Sequence, residues 1–408
     1  MAITGMGVVC PLGAKVDQAW DRIMAGQSAV APLTLANAAT GARLTVPAAT
    51  VPDGALDALP KPVLALTDRF TRFALMATAG AMADAGLDRD VEDRARIGVA
   101  SGSCMNGITE TEVGFDALFV RGRSKVHPFT LVRTMPNAPA AYIAMTYGLT
   151  GPALHYSTTC SSSSVAVGEA ARTIRHGYAD VMIAGGTESL LTYSAVNCWH
   201  SAQLLAPVHD DPHRSCRPFD ATRNGTVLGE GAVFVVLEEW ERARARGADI
   251  RAELIGYACT ADSGHPTQPS VDGQAHSMRS ALADAGIRAD AVSYVNAHGT
   301  ATRLNDAVET QAIKDVFGTH AAKLAVSSSK GAVGHMVGAS GSMGLVLSVK
   351  ALQTQRVPPT ANLVDRDADC DLDCVPDPGR VAANLDIAIC NAFGFGGSAT
   401  TLVVTRAP

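Results

Sequence analysis

One run of elements occurs twice in this chain, and it restricts the available folds more than any single motif does. In the first half, "LHYSTTCSSSSVAVGEAARTIRHG" leads into "DVMIAGGTES" and then "AVFVVLEE". In the second half, "LAVSSSKGAVGHMVGASGSMGLVLSVKAL" leads into "DIAICNAFGFGG" and then "TTLVVTRA". Both read as strand, turn, long helix, strand, Gly-rich turn, strand. Short β-rich runs alternating with small-residue helices imply crossover connections and sheets covered on both faces. The repeat predicts an α/β chain of two similar halves, residues 1–250 and 251–408. It predicts long helices over 69–85, 161–176, 306–316 and 335–353. It also makes Ser161 and His335 equivalent helix starts beside a pseudo-twofold axis, which would bring Cys160 and His335 towards one site.

Composition supports a large buried core. The chain has 408 residues, of which 47% are hydrophobic and 18% charged, enough for two domains or one duplicated domain. Its 38 glycines and 5% aromatic content suit close contacts between small residues. A net charge of -6 argues against nonspecific nucleic-acid binding. Nine cysteines without a repeating spacing suggest reduced thiols and a cytoplasmic location. The start "MAITGMGVVCPLG" reads as a strand entering a Gly/Pro loop, not as a signal peptide. No segment reaches about 18 uninterrupted apolar residues, so no membrane span is expected.

Four segments carry residues suited to chemistry. Cys160 stands between two threonines and four serines, at the end of a strand and the start of a helix. Unpaired N–H groups and the helix dipole favour a thiolate there, although a lone cysteine is more often a buried inert one. His298 follows a strand in "VNAHGTAT", the carboxyl-end position where α/β proteins expose functional groups. Lys330 and His335 share the Gly-rich turn "SSSKGAVGH". In "NAFGFGGS", Gly394, Gly396 and Gly397 allow unusual backbone angles, while Phe393 and Phe395 would line an apolar entrance. That run lacks both the Walker and the Rossmann spacing, which argues against a nucleotide site. "CDLDC", residues 370–374, lacks a second ligand pair for zinc, so no metal site is expected.

Taken together, "STTCSSSS", "NAHGTAT", "SSSKGAVGH" and "NAFGFGG" resemble the motifs of the β-ketoacyl-acyl-carrier-protein synthases, the type II condensing enzymes of fatty acid and polyketide synthesis. The likeness runs from "ITGMGVVCPLG" through "RPFDATRNGTVLGEGAVFVVLEE" to the C-terminal region. It implies a duplicated thiolase-like fold in five αβαβα layers, and a homodimer or a heterodimer with a related chain-length-factor subunit. The implied reaction is a decarboxylative Claisen condensation in which Cys160 takes an acyl group from an acyl carrier protein and malonyl carrier protein extends it. By the same resemblance, His298 and His335 grip the malonyl thioester carbonyl, and the backbone N–H groups of Cys160 and Phe395 form the oxyanion hole. Lys330 and Glu309 hold the histidines, with Asp306 nearby. Thr300 and Thr302 bind the pantetheine arm, and Phe395 on its glycine loop acts as a gate. Which histidine also activates a water or handles the departing carboxyl group is left open. No cofactor is implied beyond the substrates' own phosphopantetheine.

The chain departs from the family pattern in places. Ser398-Ala399 stands where Thr-Asn is usual after "GFGG", which bears on gate timing. Cys104 and Thr130 replace larger residues of the acyl tunnel, to which Trp199 also belongs, and imply a roomier tunnel that Met105 could refill. Lys61, Arg69, Arg72, Arg123 and Lys125 are the candidate contacts for an acidic carrier protein, and the thinned basic patch suggests a dedicated carrier from a secondary pathway. A thiolase is disfavoured because the C-terminal turn presents Phe393 and Phe395 and not a second catalytic cysteine. A non-catalytic chain-length factor is disfavoured because Cys160, both histidines and Lys330 are present.

Overall fold

The computed structural model describes residues 1–56, 58–87, 93–382 and 384–407. The strands of its main sheet are β1 (Ala2–Val9), β2 (Ile97–Gly102), β3 (Ala153–Tyr156), β4 (Val181–Glu188) and β5 (Gly231–Glu238) in the first half. In the second they are β6 (Ala252–Ala261), β7 (Tyr294–Asn296), β8 (Ala325–Ser327), β9 (Asp373–Cys374), β10 (Ile387–Phe393) and β11 (Ser398–Arg406). The helices that matter here are α1 (Arg69–Asp84), α2 (Ile108–Phe115), α3 (Ala138–Tyr147), α4 (Ser162–Arg175) and α5 (Tyr193–Ser201). They continue with α6 (Val271–Ala285), α7 (Arg303–Phe317) and α8 (Ser340–Thr354).

Strand order is β9-β8-β7-β10-β11-β6-β1-β5-β4-β2-β3. Read outward from its centre, each half repeats one winding, β1-β5-β4-β2-β3 against β6-β11-β10-β7-β8. Within the sheet the halves pair through β1 and β6, at Ala2↔Glu253 and Ile3↔Ala252, so the duplication begins anew at β6. Helices α4 and α8 pack against each other and against strands of both halves, forming a central layer. Helices α1 and α3 cover the outer face of the first half, and α6 and α7 that of the second. The result is five layers, helix-sheet-helix-sheet-helix.

The central helices explain part of the crowding of small residues. Ser161 to Ser164 are all fully buried, and a Cβ on Gly341 would sit 2.0 Å from Ser164 Oγ. Ser163 Oγ accepts the Ser342 N–H at 2.9 Å, so the two helix starts are joined by side chain as well as packing. Small side chains here let two helices cross at close range.

Two helix expectations need correction. The helix expected over 335–353 starts at Ser340, after a short turn of helix at Lys330–Val333 and one 3-10 turn at Val337–Ala339. Gly334, at φ +69°, breaks the first turn and leaves His335 ahead of the helix. The equivalent starts are therefore Ser162 and Ser340. The helix expected from residue 306 begins at Arg303 because Thr302 caps it through the Asn305 N–H.

Candidate active site

The nucleophile turn is strained and tied down. Between β3 and α4, Thr159 adopts φ +55°, a left-handed conformation that costs a non-glycine residue about 1 kcal/mol or more. Its hydroxyl donates to the carbonyls of Thr158 at 2.7 Å and Phe395 at 3.1 Å. The second half repeats the strain at Val337, φ +37°, before α8. Cys160 is buried, and its Sγ lies 3.0 Å from His335 Nε2. Burial pushes the thiol up to about 12, with Glu188 adding to the rise. The Lys330 charge and the backbone N–H groups of Phe395 and Cys160 pull the other way. The expected thiolate preference is thus outweighed by desolvation, and the resting sulfur is a thiol hydrogen-bonded to imidazole.

The histidines are set by their neighbours. His335 Nδ1 meets Ser340 Oγ, the first residue of α8, at 2.9 Å. His298 follows β7, and its N–H donates to Glu309 Oε1 at 2.7 Å while the Gly299 N–H donates to Oε2 at 2.8 Å. Lys330 Nζ donates to the His298 carbonyl. Glu309 and Lys330 therefore grip the His298 backbone from opposite sides. Asp306 accepts the N–H groups of Thr300 at 3.0 Å and Phe219 at 2.9 Å, which fixes the rest of the loop. The two imidazoles stand edge to face at 5.5 Å between centroids, and Phe393 covers His298 from 5.9 Å. Burial and the Lys330 charge hold both imidazoles well below their usual 6.5, so both are neutral. Sγ and one nitrogen of each ring lie within 4.8 Å of one another.

The glycine loop closes over this group. A Cβ on Gly394 would meet Thr159 Oγ1 at 2.0 Å, and one on Gly397, at φ +78°, would meet the Asp262 carbonyl at 1.9 Å. The Gly396 N–H donates to the Pro266 carbonyl at 2.7 Å. The Phe395 ring lies 5.8 Å from Trp199, which stands 6.3 Å from His335. Ser398 Oγ is 2.8 Å from Ser161 Oγ, so the loop keeps a hydroxyl link to the nucleophile turn. An open cleft of about 880 Å³ reaches Cys160, His298 and His335 from the surface past Thr300, Thr302 and Phe395.

Residues 1–243 match the model of the β-ketoacyl synthase N-terminal domain, and residues 251–364 that of the C-terminal domain. The chain belongs to the β-ketoacyl synthase family. It is 40% identical over 408 residues to 3-oxoacyl-[acyl-carrier-protein] synthase 2 of Coxiella burnetii, covering 100% of this chain and 98% of that one. It is likewise 40% identical to Nodulation protein E of Rhizobium meliloti, covering 98% of each. Among solved structures, the ishigamide ketosynthase/chain length factor superposes with a TM-score of 0.92 at 30% identity, covering 100% of this chain and 99% of that one.

Against this family background, the other expected residues fall into distinct places. Thr300 and Thr302 line the cleft and are bonded to each other at 2.9 Å. Cys104, Met105, Ile108 and Trp199 belong to the apolar cluster that surrounds Cys160. Thr130 is not brought to that cluster. It starts a short helix on the segment after α2, where its methyl faces Gly114. Arg69 is committed to Glu230 and Asp53, and Arg72 to the carbonyls of Leu64 and Thr67. Lys61, Arg123 and Lys125 remain exposed. Ser340 and Glu188 were missed. A carboxylate closing a wholly buried strand, "VMIAGGTE", was the available signal for Glu188.

Proposed function

We propose that this β-ketoacyl synthase is a 3-oxoacyl-acyl-carrier-protein synthase that forms a carbon–carbon bond by decarboxylative condensation. The observation that carries the reading is Cys160 Sγ at 3.0 Å from His335 Nε2, with His298 beside it and two backbone N–H groups facing the sulfur. In the first half-reaction, the Cys160 thiol gives its proton towards His335 as sulfur attacks the acyl thioester. The oxyanion is held by the N–H groups of Cys160 and Phe395, and the carrier's pantetheine leaves as the thiol, taking that proton. Ser340 Oγ both donates and accepts, so His335 can carry its proton on either nitrogen.

In the second half-reaction, malonyl carrier protein loses carbon dioxide, and the two neutral imidazoles donate N–H bonds to the enolate oxygen. The enolate carbon attacks the acyl-Cys160 carbonyl, the same oxyanion hole holds the intermediate, and Cys160 leaves as the thiolate, which takes up a proton from solvent water. Lys330 and Glu309 position His298, Thr300 and Thr302 receive the pantetheine arm, and Phe395 gates malonyl entry. The chemistry calls for no cofactor or metal. The carrier is a dedicated acidic acyl carrier protein met by Lys61, Arg123 and Lys125, and the pathway makes fatty acid or polyketide. The second subunit is another copy or a related chain-length factor. Among the described residues all nine cysteines are free thiols, and no helix is long and apolar enough to cross a membrane, which fits a cytoplasmic enzyme.

The test is incubation with acyl carrier proteins of graded chain length plus malonyl carrier protein, followed by intact-mass spectrometry. The expected outcome is an acyl adduct on Cys160 and a product two carbons longer, both absent in Cys160→Ala. Failure of every carrier to acylate the wild type would overturn the reading.

A further inference from the structure

Glu188 is fully buried at the end of β4, and donors from both halves of the chain converge on it. Its Oε2 accepts the Cys104 N–H at 2.8 Å and the Gly338 N–H at 3.1 Å. Its Oε1 accepts the Met105 N–H at 3.0 Å and the Ser103 hydroxyl at 3.2 Å. Cys104 and Met105 form a wall of the apolar cluster around Cys160, and the buried Ser103 precedes them. Gly338 lies in the 3-10 turn between His335 and Ser340, two residues before the hydroxyl that meets His335 Nδ1. The approach is close enough to need glycine, since a Cβ on Gly338 would stand 2.7 Å from Glu188 Oε2 and 2.8 Å from the Cys104 nitrogen. Burial pushes the Glu188 carboxyl up to about 7, the four donors pull the other way, and truncating it would leave three N–H groups without their acceptor.

We propose that Glu188 is a positioning residue of the active site, which fastens the acyl-binding wall at Ser103, Cys104 and Met105 to the turn that orients His335. One carboxylate then sets both the fit of the acyl chain and the His335–Cys160 contact. This rests on the condensation reading above. The ionisable groups facing Glu188 are Cys104, from the acyl wall, and Cys160, from the nucleophile turn; after burial, its negative charge raises both thiols. Residues 336–339 and the rest of β4 carry no ionisable side chain. When ionised, Glu188 thus adds to the burial that raises the Cys160 thiol, against the Lys330 charge.

The test compares wild type, Glu188→Gln and Ser103→Ala in steady-state condensation with acyl carriers of graded length. Alkylation of the Cys160 peptide by iodoacetamide is followed against pH in parallel. Glu188→Gln is expected to lower kcat about tenfold with KM for malonyl carrier changed less than about twofold, and to flatten the chain-length preference. Its alkylation midpoint should move to lower pH, because a negative charge beside the thiol is gone. Ser103→Ala removes one donor and keeps the charge. It should flatten the preference in the same sense without moving the midpoint, and it covers the case in which the glutamine variant does not fold. Unchanged kcat and chain-length preference in both variants would overturn the proposal. So would a loss of kcat in folded Glu188→Gln with the alkylation midpoint and preference unmoved. A wild type that condenses nothing would instead strike the reading on which the proposal rests.

Discussion

His298 and His335 are held neutral by burial and by the Lys330 charge, and that has a measurable effect on stability. In the unfolded chain each titrates near 6.5, about its ordinary value. Below that pH the unfolded chain takes up protons that the folded chain refuses. The contribution of these residues is therefore fully present above about pH 6.5 and is lost as the pH falls. The loss is on the order of 1 kcal/mol per pH unit for each. Asp68, pushed up to about 6 by burial, acts in the opposite sense, since it holds a proton in the folded state that it gives up on unfolding. That contribution is common to wild type and variant and cancels between them. Urea unfolding of wild type and His298→Asn from pH 7.5 down to 5.5 should show the variant losing less stability with acid; equal slopes would refute the argument. At this scale the sequence was legible where chemistry dictates residue type, as at Cys160, His298, His335 and Lys330. It was silent on Ser340 and on the donors of Glu188, because hydrogen bonds between distant segments leave no local spacing. The N–H groups expected to favour a thiolate do pull the Cys160 thiol down, but the same helix start is buried, and burial outweighs them.

Two elements meet over the sulfur, the nucleophile turn and the glycine loop, and their register depends on contacts that tolerate no side chain. Gly397 combines φ +78° with a Cβ position 1.9 Å from the Asp262 carbonyl. Gly397→Ala is therefore expected to displace the loop and take the Phe395 N–H off the sulfur. A lost oxyanion donor costs about 2.7–4 kcal/mol, or roughly 100- to 1,000-fold in acylation rate, read by stopped intact-mass sampling. Ser398→Ala removes only the hydroxyl link to Ser161, worth about 0.5–1.5 kcal/mol. Its expected effect is a more readily opened gate, seen as faster malonyl-dependent turnover of preformed acyl-enzyme at unchanged acylation rate. Slower turnover would mean that this hydroxyl contact is needed in the open state. The sequence flagged Ser398-Ala399 as a departure at the gate, but not that Ser161 stands opposite. Likewise, the helix expected at His335 starts five residues later, because a Gly-rich stretch hides its turns from periodicity.

At the scale of the whole molecule, the duplication was readable because each copy must bury the same pattern of apolar runs and small-residue helices, and the repeated winding follows from that. The edges were not readable, because exposure is a property of the assembled sheet. Strand β3 closes one end of the sheet with an open side, and Leu154 on it is 47% exposed. Beside it in sequence, the segment from α2 to α3 exposes Phe115, Phe119, Phe129, Leu131 and Met145, with Phe119 at 79% and Leu131 at 74%. An unprotected edge strand flanked by this many large apolar side chains is what a monomer avoids, since it invites pairing with another chain. A second copy related by a twofold axis can pair β3 with its own equivalent in antiparallel register and cover both patches. Thr130, absent from the cavity within one chain, lies on this same segment. The expected outcome is that the purified chain runs as a dimer by light scattering. Leu154→Lys combined with Phe119→Asp should convert it to a monomer, with a lower midpoint of thermal unfolding. A monomeric wild type that acquires condensing activity only with a related partner subunit would assign the same face to a heterodimer. A monomer fully active alone would show that these apolar side chains serve no subunit contact.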